Sequence, residues 1–158
     1  MLEFREIHTS DELGILGDMK LSLMNYHKGF AEKCGIADVE LSGYSLEQAL
    51  CTADVRISFL FYLDDVPVGM SQVQEQISNV DKESILFVHS IYIESSAQHQ
   101  NIGAQFLKYL CHRFKKRIEC ECWYDIPAGK IYERLGFFPM VTRFVLPLTS
   151  HFYGSDQN

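Results

Sequence analysis

Apolar positions recur along the chain at two spacings, and the switches between them mark out the elements. Leu2 to Ile7 reads as a first strand. From about Thr9 to Gly29 the spacing becomes helical, with Leu13, Leu16, Met19, Leu23 and Met24 on one side and Thr9-Ser10-Asp11-Glu12 offering caps. Ser45 to Leu50 opens on Ser-x-x-Gln, a capping-box pattern, and predicts a second, short helix. Val55–Leu63 and Pro67–Ile77 predict a hairpin around Asp64-Asp65-Val66, and Ser84–Ile93 is the next strand after a turn at Asn79–Lys82. Residues 102–114 return to helical spacing, with Ile102, Phe106, Leu110 and Phe114 in one row. A strand at Ile118–Trp123 and a short helix follow. For that helix Asp125 suits the N-cap, Pro127 the first turn and Gly136 a left-handed C-terminal cap. A strand at Val141–Leu146 closes the series, and the tail after Pro147 is expected to fray.

Composition narrows the class without choosing a function. At 158 residues, 47% hydrophobic and 22% charged, the chain suits one globular domain over 1–149 with a flexible tail at 150–158. It shows no repeat and no linker-like segment. No apolar run approaches membrane-spanning length, and the start lacks a basic region followed by an apolar one, so no membrane association is expected. Five cysteines (Cys34, Cys51, Cys111, Cys120, Cys122) are odd in number and not spaced as a framework, which points to the cytoplasm. Cys120-Glu-Cys122 has no further ligands at zinc spacing, so no metal is expected and buried thiols are the favoured reading. A net charge of −7 disfavours nucleic acid and mildly favours a cationic acceptor, though simple solubility explains it as well.

The segment Gln98-His-Gln-Asn-Ile-Gly-Ala104 lies between a strand and a helix. The first turn of a helix leaves N–H groups unpaired, and its macrodipole adds about half a positive charge there. Such a turn can hold a pyrophosphate on main-chain amides alone. An ordinary strand-to-helix connection is the competing reading.

The same segment resembles the pyrophosphate-binding motif of the GNAT superfamily of N-acetyltransferases, in which Arg or Gln, two residues, Gly, one residue and Gly or Ala follow one another. Gln98 takes the first place and Gly103 the last, while Asn101 stands where Gly is usual. Asn enters left-handed backbone conformations more readily than most residues, so it can do glycine's conformational work, although its side chain puts cofactor affinity in question. Asp125-Ile-Pro-Ala128 and Ile131-Tyr-Glu-Arg-Leu-Gly-Phe137 resemble the late motif of the family, with Asp125 where Asn is common. The resemblance is close over about 85–140 and architectural before that.

The resemblance implies an α/β (α+β) fold with a mixed, mostly antiparallel twisted sheet, splayed central strands and about four flanking helices. It implies acetyl-CoA as acyl donor and a primary amine, on a small molecule, peptide or protein, as acceptor; a homodimer is a family-level expectation. The backbone around Ile91 and Ile93 would pair with the pantetheine, residues Gln98, His99, Gln100, Asn101, Ile102, Gly103 and Ala104 would hold the pyrophosphate, and Asp125 would join the cofactor site. Tyr132 takes the place of the tyrosine that protonates the departing thiolate; a phenol of pKa ~10 matches a thiol of ~8.5. Packing of the helix on the sheet is its bland alternative. His89 stands where family members often carry a base, and strand alternation puts it on the face of Ile91 and Ile93. A hydrogen-bonded core histidine is an equal alternative, and Glu75 is a second candidate. Tyr26-His27-Lys28, Phe30, Tyr44 and Trp123 are candidates for the acceptor pocket. The basic run Arg113–Arg117 could meet the nucleotide's phosphate, but at a helix C-terminus its cations favour the dipole in any case. The alternative of another class is a non-catalytic acyl-CoA-sensing or interaction module on the same fold.

Overall fold

A computed structural model describes residues 1–33, 56–122 and 127–140. The strand expected at Val141–Leu146, the helix at Ser45–Leu50, the tail, Tyr44, Trp123 and Asp125 lie outside these residues. Five strands form one sheet in the order of the chain: β1 Leu2–Glu6, β2 Ile57–Leu63, β3 Val66–Ile77, β4 Ser84–Ile93 and β5 Arg117–Cys120. The first three pairings are antiparallel and β4–β5 is parallel. The parallel step requires a crossover, which is the helix α2, Ile102–Phe114. Helix α1, Ser10–Lys33, precedes β2, and α3, Pro127–Arg134, follows β5. This is the mixed sheet of the GNAT type, with three α-helices among the described residues.

Local chemistry accounts for the element ends. Thr9 and Glu12 form a reciprocal capping box: Glu12 N–H donates to Thr9 Oγ1 at 3.3 Å and Thr9 N–H to Glu12 Oε2 at 3.1 Å. Helix α1 runs one turn past Gly29. The β2–β3 loop is tighter than expected. Asp64 and Asp65 both have positive φ (50° and 62°), the two-residue loop whose twist matches the strands, so Val66 already pairs with Leu63.

The sheet has two covered faces. On one, Phe59, Phe61, Val73, Leu86 and Val88 pack with Ile102, Phe106, Leu107 and Leu110 of α2. The predicted row on α2 is therefore the seam, and Phe106, fully buried, contributes about 1.5–3 kcal/mol by area removed from water. On the other face Leu60, Tyr62 and Met70 meet Leu16, Met19 and Leu23 of α1. Gly69 lies where β3 crosses between β2 and β4. A Cβ there would come within 2.6 Å of Tyr92 O and 2.7 Å of Phe61 Cδ2, so only glycine fits.

The basic run after α2 is occupied in holding elements together. Arg113 pairs with Glu6 of β1, Lys116 with Glu75 of β3, and Arg117 grips Asp81 through two bonds of 2.6 and 2.8 Å. This disposes of Glu75 as the second candidate base: it stands at an exposed ion pair, opposite Leu86 and away from the end of β4.

Two outcomes follow. Gly69→Ala should overpack the sheet and cost about 1–3 kcal/mol, read as a melting temperature lowered by several degrees. The Arg117 bond, and then the Glu83 N–H, hold the Asp81 carboxyl well below the usual carboxylate range. A depressed carboxylate stabilises the fold above its ordinary value of 3.8 and loses that contribution as pH falls below it. Arg117→Met should therefore lower the urea midpoint at pH 7, slightly because the pair is exposed, and the gap from wild type should close as the pH drops under 3.8.

Candidate active site

Strands β4 and β5 pair over Ile85–Val88 and Arg117–Cys120 and no further. Beyond Val88 and Cys120, β4 continues to Ile93, held by β3 as far as Gly69 opposite Ile93. Among the described residues no strand pairs with the other edge of 89–93. Main-chain polar groups seek partners, so this edge suits an extended ligand that pairs as a strand would.

A bulge sits at the point of parting. Gln72 faces Ser90 and Val73 faces Val88, leaving His89 as the extra residue. The bulge corrects the expected facing of His89. Leu86 and Val88 belong to the α2-side core, and so do Ile91 and Ile93, so the inward series slips by one between 88 and 91. His89 is thereby separated from Ile91 and Ile93 and turns toward α1, where its Nε2 meets Gln74 Oε1 at 2.9 Å. The sequence carried the signal: two adjacent polar residues, His89-Ser90, interrupt an otherwise apolar alternation.

The turn after β4 reaches the start of α2 through a 3-10 turn at Ser95–Ala97. Glu94 N–H donates to Val68 O at 2.8 Å and Gln98 Nε2 donates to Ile93 O at 3.1 Å, tying both ends of the turn to the strands. His99 has φ 70° and Asn101 φ 57°, ψ 23°. Asn101 thus adopts the left-handed conformation that glycine would supply, and His99 does the same two residues earlier. Gln98, His99, Gln100 and Asn101 are exposed, whereas the Ile102 side chain is buried in the core and offers only its main chain.

The N-terminus of α2 is bare. Asn101 makes no side-chain cap, the first turn holds no acidic residue, and the first intrahelical bond is Gln105 N–H to Asn101 O at 3.0 Å. The N–H groups of Ile102, Gly103 and Ala104 therefore have no acceptor within the helix. Gly103 lies over β4: a Cβ there would stand 3.5 Å from Ile93 Cδ1 and 3.6 Å from Ile91 Cδ1, ordinary contact distances. Packing alone does not demand glycine at 103, since a Cβ would fit at ordinary contact distance. The residues fit an anionic group carrying an extended arm. The structure brings Ile91, Ile93 and residues 98–104 into one site.

Tyr132 reaches the same core from α3. The helix ends in a Schellman motif: Phe137 N–H donates to Tyr132 O at 3.0 Å and Gly136 N–H to Glu133 O at 3.0 Å, with Gly136 at φ 91°. This folds the Phe137 ring onto Tyr132, centroids 5.4 Å apart, and fixes the tyrosine from both main chain and side chain. The Tyr132 hydroxyl lies near the thiols of Cys120, the last residue of β5, and Cys122. Burial, and then the neighbouring thiols of Cys120 and Cys122, hold the phenol above its ordinary value, so it keeps its proton at neutral pH. Burial likewise pushes the Cys120 thiol up to about 12, which makes it a poor nucleophile. The expected burial of both thiols holds in part for Cys120, half-buried against the α2-side core, and not for Cys122, which is exposed. The nearness of Cys120 to Tyr132 had no signal, because residues on a strand and on a later helix carry no shared spacing.

Under α1, burial and then Arg56 and Lys20 push the His89 imidazole down to about 4, so it is neutral at pH 7. The candidate acceptor residues of α1 show partial order of their own: Tyr26, half exposed, stacks edge-on with Phe30 at 5.1 Å.

Residues 25–137 match the model of the acetyltransferase (GNAT) family. No curated protein matches the chain. Among solved structures, the aminoglycoside acetyltransferase AAC(6')-Iy with the bisubstrate analog CoA-S-monomethyl-acetylneamine is similar with a TM-score of 0.69 at 13% identity, covering 92% of this chain and 97% of that one. A possible acetyltransferase from Clostridium difficile 630 gives 0.66 at 14% identity, covering 96% and 99%. A predicted acetyltransferase with acetyl-CoA from Clostridium acetobutylicum gives 0.65 at 13% identity, again covering 96% and 99%. At these identities the structures establish a shared fold, while the family match spans well over half the sequence. The chain belongs to the GNAT acetyltransferase family.

Proposed function

We propose that this protein is an N-acetyltransferase that passes an acetyl group from acetyl-CoA to a primary amine by direct attack in a ternary complex. The observation that carries the reading is the uncapped start of α2 seated over Ile91 and Ile93, where β4 has parted from β5. Bound there, acetyl-CoA supplies an activated thioester. The amides of 98–104 bind the pyrophosphate, and the main chain at Ile91 and Ile93 aligns the pantetheine and polarises the thioester carbonyl. Tyr132 delivers its proton to the departing sulphur. Burial keeps that proton on the phenol at neutral pH, so it is there to give.

The raised phenol is a weaker acid than free tyrosine, and the proton therefore moves only as charge builds on the thiolate. His89 takes the amine proton. An imidazole this weakly basic passes the proton on to water rather than keeping it. Three of the similar structures are of AAC(6')-Iy, an aminoglycoside N-acetyltransferase, which favours a small-molecule amine as acceptor here.

Acetyl-CoA at a hundred times its Kd should stabilise the fold by about 2.7 kcal/mol, a rise of several degrees in melting temperature, with CoA and ADP giving related shifts. No shift at millimolar ligand on folded protein would remove the cofactor site. Tyr132→Phe should lower kcat by ~10²-fold or more while the acetyl-CoA shift persists. Free thiol release across an amine panel reads that loss. A thermal shift with no turnover on any amine would leave an acyl-CoA-binding module in place of the enzyme.

A further inference from the structure

The sheet face under α1 holds a polar cluster that the reaction above uses only at one point. Lys20, 5% exposed, donates from Nζ to Gln72 Oε1 at 2.5 Å, and Gln72 Nε2 donates to Ser58 Oγ at 3.1 Å. Two positions along β3, Gln74 shares that face, and its Oε1 meets His89 Nε2. An amide oxygen only accepts, so the bond requires a proton on Nε2. A neutral imidazole has one ring proton, and with that proton on Nε2 the lone pair stays on Nδ1. The slip at the bulge is what makes the bond: regular alternation counted back from Ile91 would put position 89 on the opposite face, away from Gln74.

We propose that Gln74 is a positioning residue: its side-chain oxygen holds His89 as the Nε2–H tautomer and makes Nδ1 the atom that takes the proton from the acceptor amine. The proton leaves the amine nitrogen as its bond to the acetyl carbon forms, gives an imidazolium at His89, and returns from there to water. This rests on the reading of His89 as the base. The groups that face His89 come from several elements. Phe87 of β4 packs edge-on at 4.9 Å, while Lys20 of α1 and Arg56, ahead of β2, act on it by charge. Both charges and burial oppose a second ring proton, so at neutral pH the choice between tautomers decides what His89 can do.

The test separates the contact from the chemistry. Long-range nitrogen–proton NMR of the full chain at pH 7, with His89 assigned by the loss of its signals in His89→Gln, reports which ring nitrogen carries the proton. A protonated Nε2 with bare Nδ1 is expected, and the reverse overturns the proposal. In Gln74→Glu the carboxylate keeps the acceptor and favours the charged ring, so the His89 titration should rise by about 1–3 pH units. The acid limb of kcat/KM should rise with it. An unmoved titration overturns the Gln74 contact. A titration that rises while the kinetic limb stays still leaves the contact standing and overturns proton uptake at Nδ1, whatever becomes of the cofactor site. Gln74→Met, similar in length but without the acceptor, should populate both tautomers and lower kcat with little change in the acetyl-CoA shift; a single unchanged tautomer in that variant overturns the proposal.

Discussion

The short parallel pairing of β4 with β5 is the constraint on which the remainder depends. Among the described residues it lasts from Ile85–Arg117 to Val88–Cys120, and β3 then carries β4 on to Ile93 without a second partner. A sheet that stays closed through this point has no room for a ligand between its strands and no main-chain groups to offer one. Among the described residues, the end of this pairing leaves a β4 edge open beside the start of α2 and the last residue of β5. Each participant is fixed from a different side: β4 by β3, α2 by its apolar seam, Tyr132 by the turn that brings Phe137 back onto it.

The bulge at His89 divides the labour of one strand between two faces. Residues 91 and 93 look to the α2 core, where the donor is read to lie, and His89 looks to the α1 side with Gln74. A regular strand would commit both to one face. One extra residue thus lets the proposed donor site and the proposed base lie on opposite faces of the same strand.

The fold was largely legible because its burial is periodic. The α2 row of Ile102, Phe106 and Leu110, the Thr9 capping box, the Asp64-Asp65 loop and the left-handed Gly136 all follow from residue type and spacing. What escaped was set by pairs distant in sequence. Nothing local announces that Tyr132 will lie near Cys120, that Glu75 will be taken by Lys116, or that β4 slips by one against β3. The slip left a trace in the His89-Ser90 interruption, but alternation applied without regard to register sends the histidine to the wrong face. The turn after β4 was readable as a shape, because what it presents is main-chain amides that many sequences supply.

That last property bears on how such sites are found. Asn101 stands in the left-handed region at φ 57°, and His99 at φ 70°, in a turn usually described by its glycines. The turn asks for a backbone of mirror-image handedness at set points; the letters that satisfy it are secondary. Evolution can therefore exchange those letters while the dihedral angles stay put, and a search by torsion will recognise relatives that a search by spelling passes over.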